Sequence, residues 1–264
     1  DGASALTEDD RFKLLTFTGS PEVGWALKAR AGRKKVVLEL GGNAAAVVEP
    51  DADLEMAASK LALGAYYYAG QSCISVQRIL VHRAVAARFR DLLVAAVEAT
   101  PYGDPSSEAT VSGPVIDAGN ADRVSDWIDE ACHGGASKLV GGVREDNVIS
   151  PCLLEDAPAD ARVVSREVFG PVATLSTYDT FGQALDEVNA SRFGLQAAVF
   201  SSDVGKLTRA LATLEVGGIV HNDSPAYRVD HMPYGGVKES GLGREGTKYA
   251  VEDMTEPRML ILQT

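Results

Sequence analysis

With 264 residues and 45% hydrophobic side chains, the chain can bury roughly three quarters of the surface its unfolded form exposes, enough for one or two globular domains. Its 37 acidic against 25 basic residues give a formal charge of −12, which repels phosphate backbones and anionic lipid headgroups and sets nucleic-acid and membrane-surface roles aside. No stretch approaches the ~20 uninterrupted apolar residues of a membrane-spanning helix, and the opening DGASALTEDD lacks a basic region leading into an apolar core, so a soluble, cytoplasmic chain is expected. Cys73, Cys132 and Cys152 are too few and too scattered for a disulfide framework or a CxxC metal site, which points to a reducing compartment and no bound metal. The chain opens on Asp1 and reaches a strand-like run by Lys13, as expected of one that begins mid-protein.

In chain order, the apolar pattern predicts a strand over LLTF (14–17), a helix over 21–30, and strands over VVLEL (36–40) and AAVV (45–48). A helix over 53–68, a strand over RILVH (78–82) and helices over 84–99 and 118–132 follow. The last elements are a strand over VATLSTY (172–178), a helix over 180–190, a strand over AAVF (197–200), a helix over 202–214 and a strand over GIVHN (218–222). Short apolar runs alternating with segments of helical period predict an α/β fold, a mostly parallel sheet with helices on both faces. Asp51, Asp53 and Glu55 place negative charge at the start of the 53–68 helix, where it complements the helix dipole. Past Tyr66, Tyr67 and Tyr68 the GQS sequence breaks that helix and presents Cys73. The segment from Pro233 to Gly246, rich in glycine, is a loop by composition.

Two residues could carry chemistry. Glu39 ends an apolar strand-like run and is followed by Gly41 and Gly42; a carboxylate that loses hydration there gains basicity near neutral pH. Its plainer description is an edge-strand carboxylate facing solvent. Cys73, thirty-four residues later, is a candidate nucleophile that needs help from backbone amides or a positive dipole, because an ordinary thiol is only a few per cent ionised at pH 7. Its plainer description is an inert, buried, small apolar residue. Two motif matches carry nothing: GLGREG (241–246) fits G-x-G-x-x-G but follows a glycine-rich loop instead of a strand, and the P-loop spacing of Gly19 to Gly24 is followed by Trp25 and Ala26 where Lys and Ser or Thr belong.

The order FTGSPEVG (17–24), LELGG (38–42), GQSC (70–73), EVFGPV (167–172) and PYGGVKESGLGREG (233–246) resembles the aldehyde dehydrogenase superfamily, motif for motif over nearly the whole chain. The resemblance implies that Cys73 attacks an aldehyde carbon to form a thiohemiacetal, with its own N–H helping to hold the oxyanion. Hydride transfer to NAD or NADP then leaves a thioester, and Glu39 activates the water that hydrolyses it. It implies that Glu167 and Phe169 clamp the nicotinamide half of the cofactor, the carboxylate on ribose hydroxyls and the ring beside the nicotinamide. Gly19 and Ser20 lie by its phosphates at a helix N-terminus. Asn222 matches an asparagine near the substrate channel, with a simple turn residue as the alternative; Arg228 meets an anionic substrate group or is a solvated loop arginine. His221 and His231 lack metal-ligand spacing.

By the same resemblance, residues 1–40 end a Rossmann-like nucleotide-binding domain, 41–254 form the catalytic α/β domain, and 255–264 form a strand that pairs with a neighbouring subunit in a homo-oligomer, dimer or tetramer. Most of the cofactor domain, the asparagine that completes the oxyanion hole and a lysine for the adenosine half have no counterpart, so this chain alone is expected to bind cofactor weakly. The substrate class is a small aldehyde, polar or anionic by analogy. The alternatives are a dehydrogenase that passes the thioester to CoA, a cofactor-free cysteine hydrolase pairing Cys73 with His82, His221 or His231, and a non-catalytic interaction fragment.

Overall fold

The computed structural model describes residues 2–264, with side chains from Ser4 onward. A short helix α1 (Gly2–Glu8) leads into β1 (Leu14–Thr18), α2 (Pro21–Arg30) and β2 (Lys35–Glu39), followed by β3 (Ala44–Val48), α3 (Leu54–Tyr66) and β4 (Val76–His82). Then come α4 (Ala86–Glu98), α5 (Ala118–His133), β5 (Ser137–Val140), β6 (Cys152–Glu155), α6 (Arg162–Ser165) and β7 (Val172–Tyr178). The chain continues through α7 (Phe181–Asn189), β8 (Gln196–Phe200), α8 (Val204–Thr213), β9 (Gly218–His221), β10 (Gly241–Leu242) and α9 (Thr247–Met254). The main sheet has seven strands in the order β9-β8-β3-β4-β7-β6-β5, parallel throughout except for the edge strand β5, which runs antiparallel to β6.

Burial explains why this sheet carries helices on both faces. In β3 and β8 every residue is buried, as a parallel strand covered on both sides must be. Ala46, Val48, Ile79, Val81, Ala198 and Phe200 point one way and pack against Leu54, Leu61 and Ala65 of α3 and Phe89 and Leu93 of α4. Their alternating neighbours Ala45, Val47, Leu80, Ala197 and Val199 point the other way, against Phe181, Leu185 and Val188 of α7 and Ala210 of α8. A third cluster seats α5 through Val124, Ile128 and Ala131 on Cys152, Leu154 and Val172.

The helices start where the sequence says they should. Ser20, Asp53, Asp117 and Thr180 each accept a hydrogen bond from a backbone N–H in the first turn of α2, α3, α5 and α7, a cap that contributes about 1 kcal/mol apiece. Asp51, expected to serve the α3 dipole, instead accepts from Ser201 and Ser202 across the fold.

A second sheet holds the start of the chain. β1 and β2 are parallel, Thr18 opposite Glu39, and β10 adds to β2 antiparallel with Gly241 opposite Glu39. The loop expected over 233–246 therefore contributes a strand to this second sheet, which brings Gly241 beside Glu39. The 255–264 segment expected as a strand has no regular structure, and Met259, Leu260, Ile261 and Leu262 are exposed. A strand needs an edge to pair with, and the segment finds none in a single chain.

Candidate functional site

Three turns converge on one open cavity of about 740 Å³, and close approach explains the glycines in each. At the end of β2, a Cβ on Gly41 would stand 2.3 Å from Glu167 Oε2, and one on Gly42 would stand 2.0 Å from the carbonyl oxygen of Cys73. In the turn before Cys73, Gly70 adopts φ +67°, and a Cβ there would stand 2.1 Å from the carbonyl oxygen of Gly170. The ELGG, GQSC and EVFGP sequences are thus in backbone contact, although more than ninety residues separate the second from the third. Gln71 fastens the middle turn: its amide donates to the carbonyls of Tyr68 and Pro114, and its oxygen accepts from Ile116 N–H.

The cavity is lined by Thr18, Gly19, Ser20, Glu39, Cys73 and, on the far wall, Glu167 and Phe169. Six of the eight site residues expected from sequence therefore share one space. Glu39 is 3% exposed, and among the described residues neither of its oxygens has a hydrogen-bond partner. Burial, reinforced by the charge of Glu245 and opposed by Arg244 and Arg228, raises its pKa to about 8. A carboxyl in that state is a base at slightly alkaline pH, not the solvent-facing edge residue that was its plainer description. Glu167 accepts a hydrogen bond of 2.8 Å from Gly42 N–H, and burial raises its pKa to about 7. Phe169 adopts φ +46°, a left-handed conformation that costs an aromatic residue on the order of 1 kcal/mol, and stays 42% exposed as a residue.

Cys73 departs from expectation in what surrounds its sulfur. It lies past the C-terminal end of α3, the negative end of the dipole, so that helix gives no help. Its Sγ is instead 3.1 Å from the hydroxyl of Tyr234. Burial pushes the thiol pKa up, the Tyr234 bond pulls it down, and the charges of Glu167 and Glu39 raise it again, with its own backbone N–H as a smaller downward influence.

Two expected residues take other places. Asn222 is not among the residues lining the cavity; it sits at φ +52° at the end of β9, where its side-chain oxygen accepts from Ser201 N–H. That is the turn role. Arg228 also lies outside the lining, paired with Glu245 at 2.9 Å and stacked 4.4 Å from the centre of the Tyr234 ring, so its charge is already answered. Sequence reasoning missed Tyr67, Arg123 and Trp127 on the cavity wall and Tyr234 beneath it. The signal for Tyr234 in the sequence is the tyrosine of the PYGG motif.

No histidine lines the cavity: His221 Nε2 contacts the Ser201 carbonyl, and His82 Nδ1 accepts from Ala84 N–H. A cysteine hydrolase would need one beside Cys73. Among the described residues there is also no cluster of acidic, histidine or cysteine side chains suited to a metal, and no helix long and apolar enough to cross a membrane.

The chain belongs to the aldehyde dehydrogenase family, whose model matches residues 1–260. It is 45% identical to 3-sulfolactaldehyde dehydrogenase of Priestia megaterium, over 99% of this chain and 56% of that protein. It also superposes with a TM-score of 0.92 on aldehyde dehydrogenase 21 from Physcomitrella patens in complex with succinate, at 46% identity over 96% of this chain and 53% of that one. Glyceraldehyde-3-phosphate dehydrogenase of Methanocaldococcus jannaschii, complexed with NADP, gives a TM-score of 0.92 at 38% identity, over 96% of this chain and 55% of that one. The chain spans little more than half the length of the relatives it matches.

The Glu39 shift has a consequence for stability. An unfolded glutamate ionises near 4.5, whereas the folded one keeps its proton to about 8, so between those values the unfolded state releases a proton that the native state holds. Stability is therefore lost as pH rises through that window, by an amount on the order of a few kcal/mol. Thermal unfolding from pH 5 to pH 9 should fall less steeply for Glu39→Gln than for the parent; equal slopes would count against a buried, neutral Glu39.

Proposed function

We propose that this chain carries the catalytic half of an NAD(P)-dependent aldehyde dehydrogenase that oxidises a short polar or anionic aldehyde to its carboxylic acid. The observation that carries the reading is the presence of Cys73, Glu39, Glu167 and Phe169 around one cavity. Cys73, as thiolate, attacks the aldehyde carbon to give a thiohemiacetal, and its backbone N–H donates to the developing oxyanion. Bound NAD(P)+ supplies the hydride acceptor, so that Cys73 is left acylated as a thioester. Glu39, buried and unpartnered, then removes a proton from water as the water attacks the thioester, and its raised pKa makes it a stronger base than an ordinary carboxylate.

The residues fit a nicotinamide half. Gly19 and Ser20 present the start of α2, whose N-terminal amides favour phosphate, and the exposed Phe169 ring offers an apolar face. Glu167 would accept from ribose hydroxyls with its free oxygen, and Arg123, half-buried on the same wall, adds a donor. Support for the substrate class comes from relatives named for 3-sulfolactaldehyde, sulfoacetaldehyde and lactaldehyde, and from the succinate complex. The exposed run Met259–Leu262 is read as a strand for a second copy, which makes the whole protein a homo-oligomer.

The test is a steady-state screen of a protein that carries this chain at the full length of its relatives, against short aldehydes with NAD and NADP. Production of acid and reduced cofactor is expected, fastest with sulfonated, carboxylated or hydroxylated aldehydes, from a species of several chains by light scattering. Absence of turnover with every short aldehyde and both cofactors would overturn the activity, and preference for unsubstituted alkyl aldehydes would overturn the substrate class.

A further inference from the structure

Burial and two neighbouring carboxyls all oppose ionisation of Cys73, yet the proposed chemistry begins with its thiolate. Something must favour the anion, and the structure offers little choice. Among the described residues Sγ has one side-chain hydrogen-bond partner, the hydroxyl of Tyr234 at 3.1 Å, a normal separation for a bond to sulfur. The other ionisable groups that bear on the sulfur, Glu39 and Glu167, have the wrong sign to help, and Tyr67 spends its hydroxyl on Ser72 Oγ at 2.6 Å.

The surroundings decide which way the proton points. Tyr234 is 5% exposed and packed with Ile74 and Leu195, and burial holds its pKa well above the ordinary phenol range, so it keeps its proton at any pH where the protein works. A permanently protonated phenol beside a thiolate can only donate to it. The Arg228 guanidinium lies 4.4 Å from the ring centre, a cation–π contact that helps hold the ring in place. The ring cannot swing away easily. The Tyr234 backbone bridges that of Glu245 in both directions, and Glu245 in turn holds Arg228.

We propose that the Tyr234 hydroxyl is a catalytic hydrogen-bond donor to Cys73 Sγ, favouring the thiolate over the thiol for the first step of the reaction. The proposal rests on Cys73 being the nucleophile, and extends that reading by naming the group that activates it. Once the sulfur is acylated it carries no charge, so the bond is strongest before attack, and its loss should fall on acylation and leave thioester hydrolysis to Glu39.

The experiment measures the rate of Cys73 alkylation by iodoacetamide against pH, by peptide mapping, in the full-length protein without aldehyde. A bond from a neutral donor to a charged sulfur is worth roughly a tenfold shift in ionisation or more. Tyr234→Phe should therefore raise the alkylation midpoint by about one pH unit, and a burst of reduced cofactor at pH 7 should slow by about tenfold. Tyr234 exchanged for 3-fluorotyrosine, the same shape with a stronger donor, should move the midpoint the other way. Cys152, fully buried in the core, is the internal control: its alkylation stays slow as long as the variant is folded. An unmoved midpoint in the folded Phe variant, or a fluorotyrosine shift upward or absent, would overturn the role of Tyr234. Full turnover in Cys73→Ala would instead overturn the nucleophile itself, a different result that leaves the alkylation data on Tyr234 intact.

Discussion

Glu39→Gln in the full-length protein should release a burst of about one equivalent of reduced cofactor per site and then turn over slowly, because the variant can still be acylated but lacks the base for hydrolysis. A general base contributes roughly 10²–10⁴ in rate, and the steady state should fall by that factor. Glutamine keeps the shape of the side chain, and neither oxygen of Glu39 has a partner to lose, so the substitution removes proton acceptance and little else. The pH dependence gives a second reading. With its pKa near 8, Glu39 is mostly protonated at neutral pH, so hydrolysis by the parent should rise from pH 6 and bend near pH 8 toward a plateau, while the variant should lack that rise. Cys73→Ser should abolish the burst as well, since an alkoxide is far harder to form than a thiolate. Undiminished turnover in Glu39→Gln, or a full burst in Cys73→Ser, would remove the two-step assignment.

What the sequence reveals about this fold tracks the physical signals it contains. Strands buried on both faces read as apolar runs, and β3 and β8 are legible to within a residue. The helical periods over 21–30 and 118–132 were equally plain, and the structure adds the Ser20 and Asp117 caps that start them. β5 was not, because it is an edge strand of sequence SKLV with two exposed residues, and edge strands do not need apolar alternation. β10 was hidden for another reason: its glycine is required by the backbone of Leu38, 2.2 Å from where a Cβ would be, and a long-range contact leaves no local trace. The site shows the same division. Motif order singles out Cys73, Glu39, Glu167 and Phe169, and the fold places the four around one cavity without the sequence describing how. For Asn222 the motif left a turn and the channel equally open; the residue sits at φ +52°, and its side chain accepts from Ser201 N–H in the turn. Tyr234 escaped because its importance lies in a hydroxyl 3.1 Å from a sulfur 161 residues away.

The second large effect is steric and belongs to Gly42. A methyl group there would overlap the Cys73 carbonyl oxygen at 2.0 Å and its carbon at 3.1 Å, and a carbonyl in a tight turn can retreat only by carrying Cys73 with it. Gly42→Ala should therefore move the nucleophile away from the cavity wall where Glu39 and Glu167 stand, and a misplacement of about 1 Å commonly costs a hundredfold in rate. Overpacking of this kind also destabilises by about 1–3 kcal/mol. Gly41→Ala tests the neighbouring contact: its methyl would meet Glu167 Oε2 at 2.3 Å, the end of a flexible side chain, so the fold should survive while the apparent KM for cofactor rises. Gly32→Ala is the comparison that separates sterics from backbone strain. Gly32 has φ +62° with nothing within 4 Å of a Cβ, so alanine there should cost about 1 kcal/mol in stability and leave turnover unchanged. Measured by thermal unfolding and by the burst amplitude, the three substitutions should give three distinct patterns: lost burst for Gly42, raised cofactor KM for Gly41, and a lowered Tm alone for Gly32. A Gly42→Ala protein with the parent's burst and rate would mean that the ELGG and GQSC turns need not touch for the chemistry to proceed.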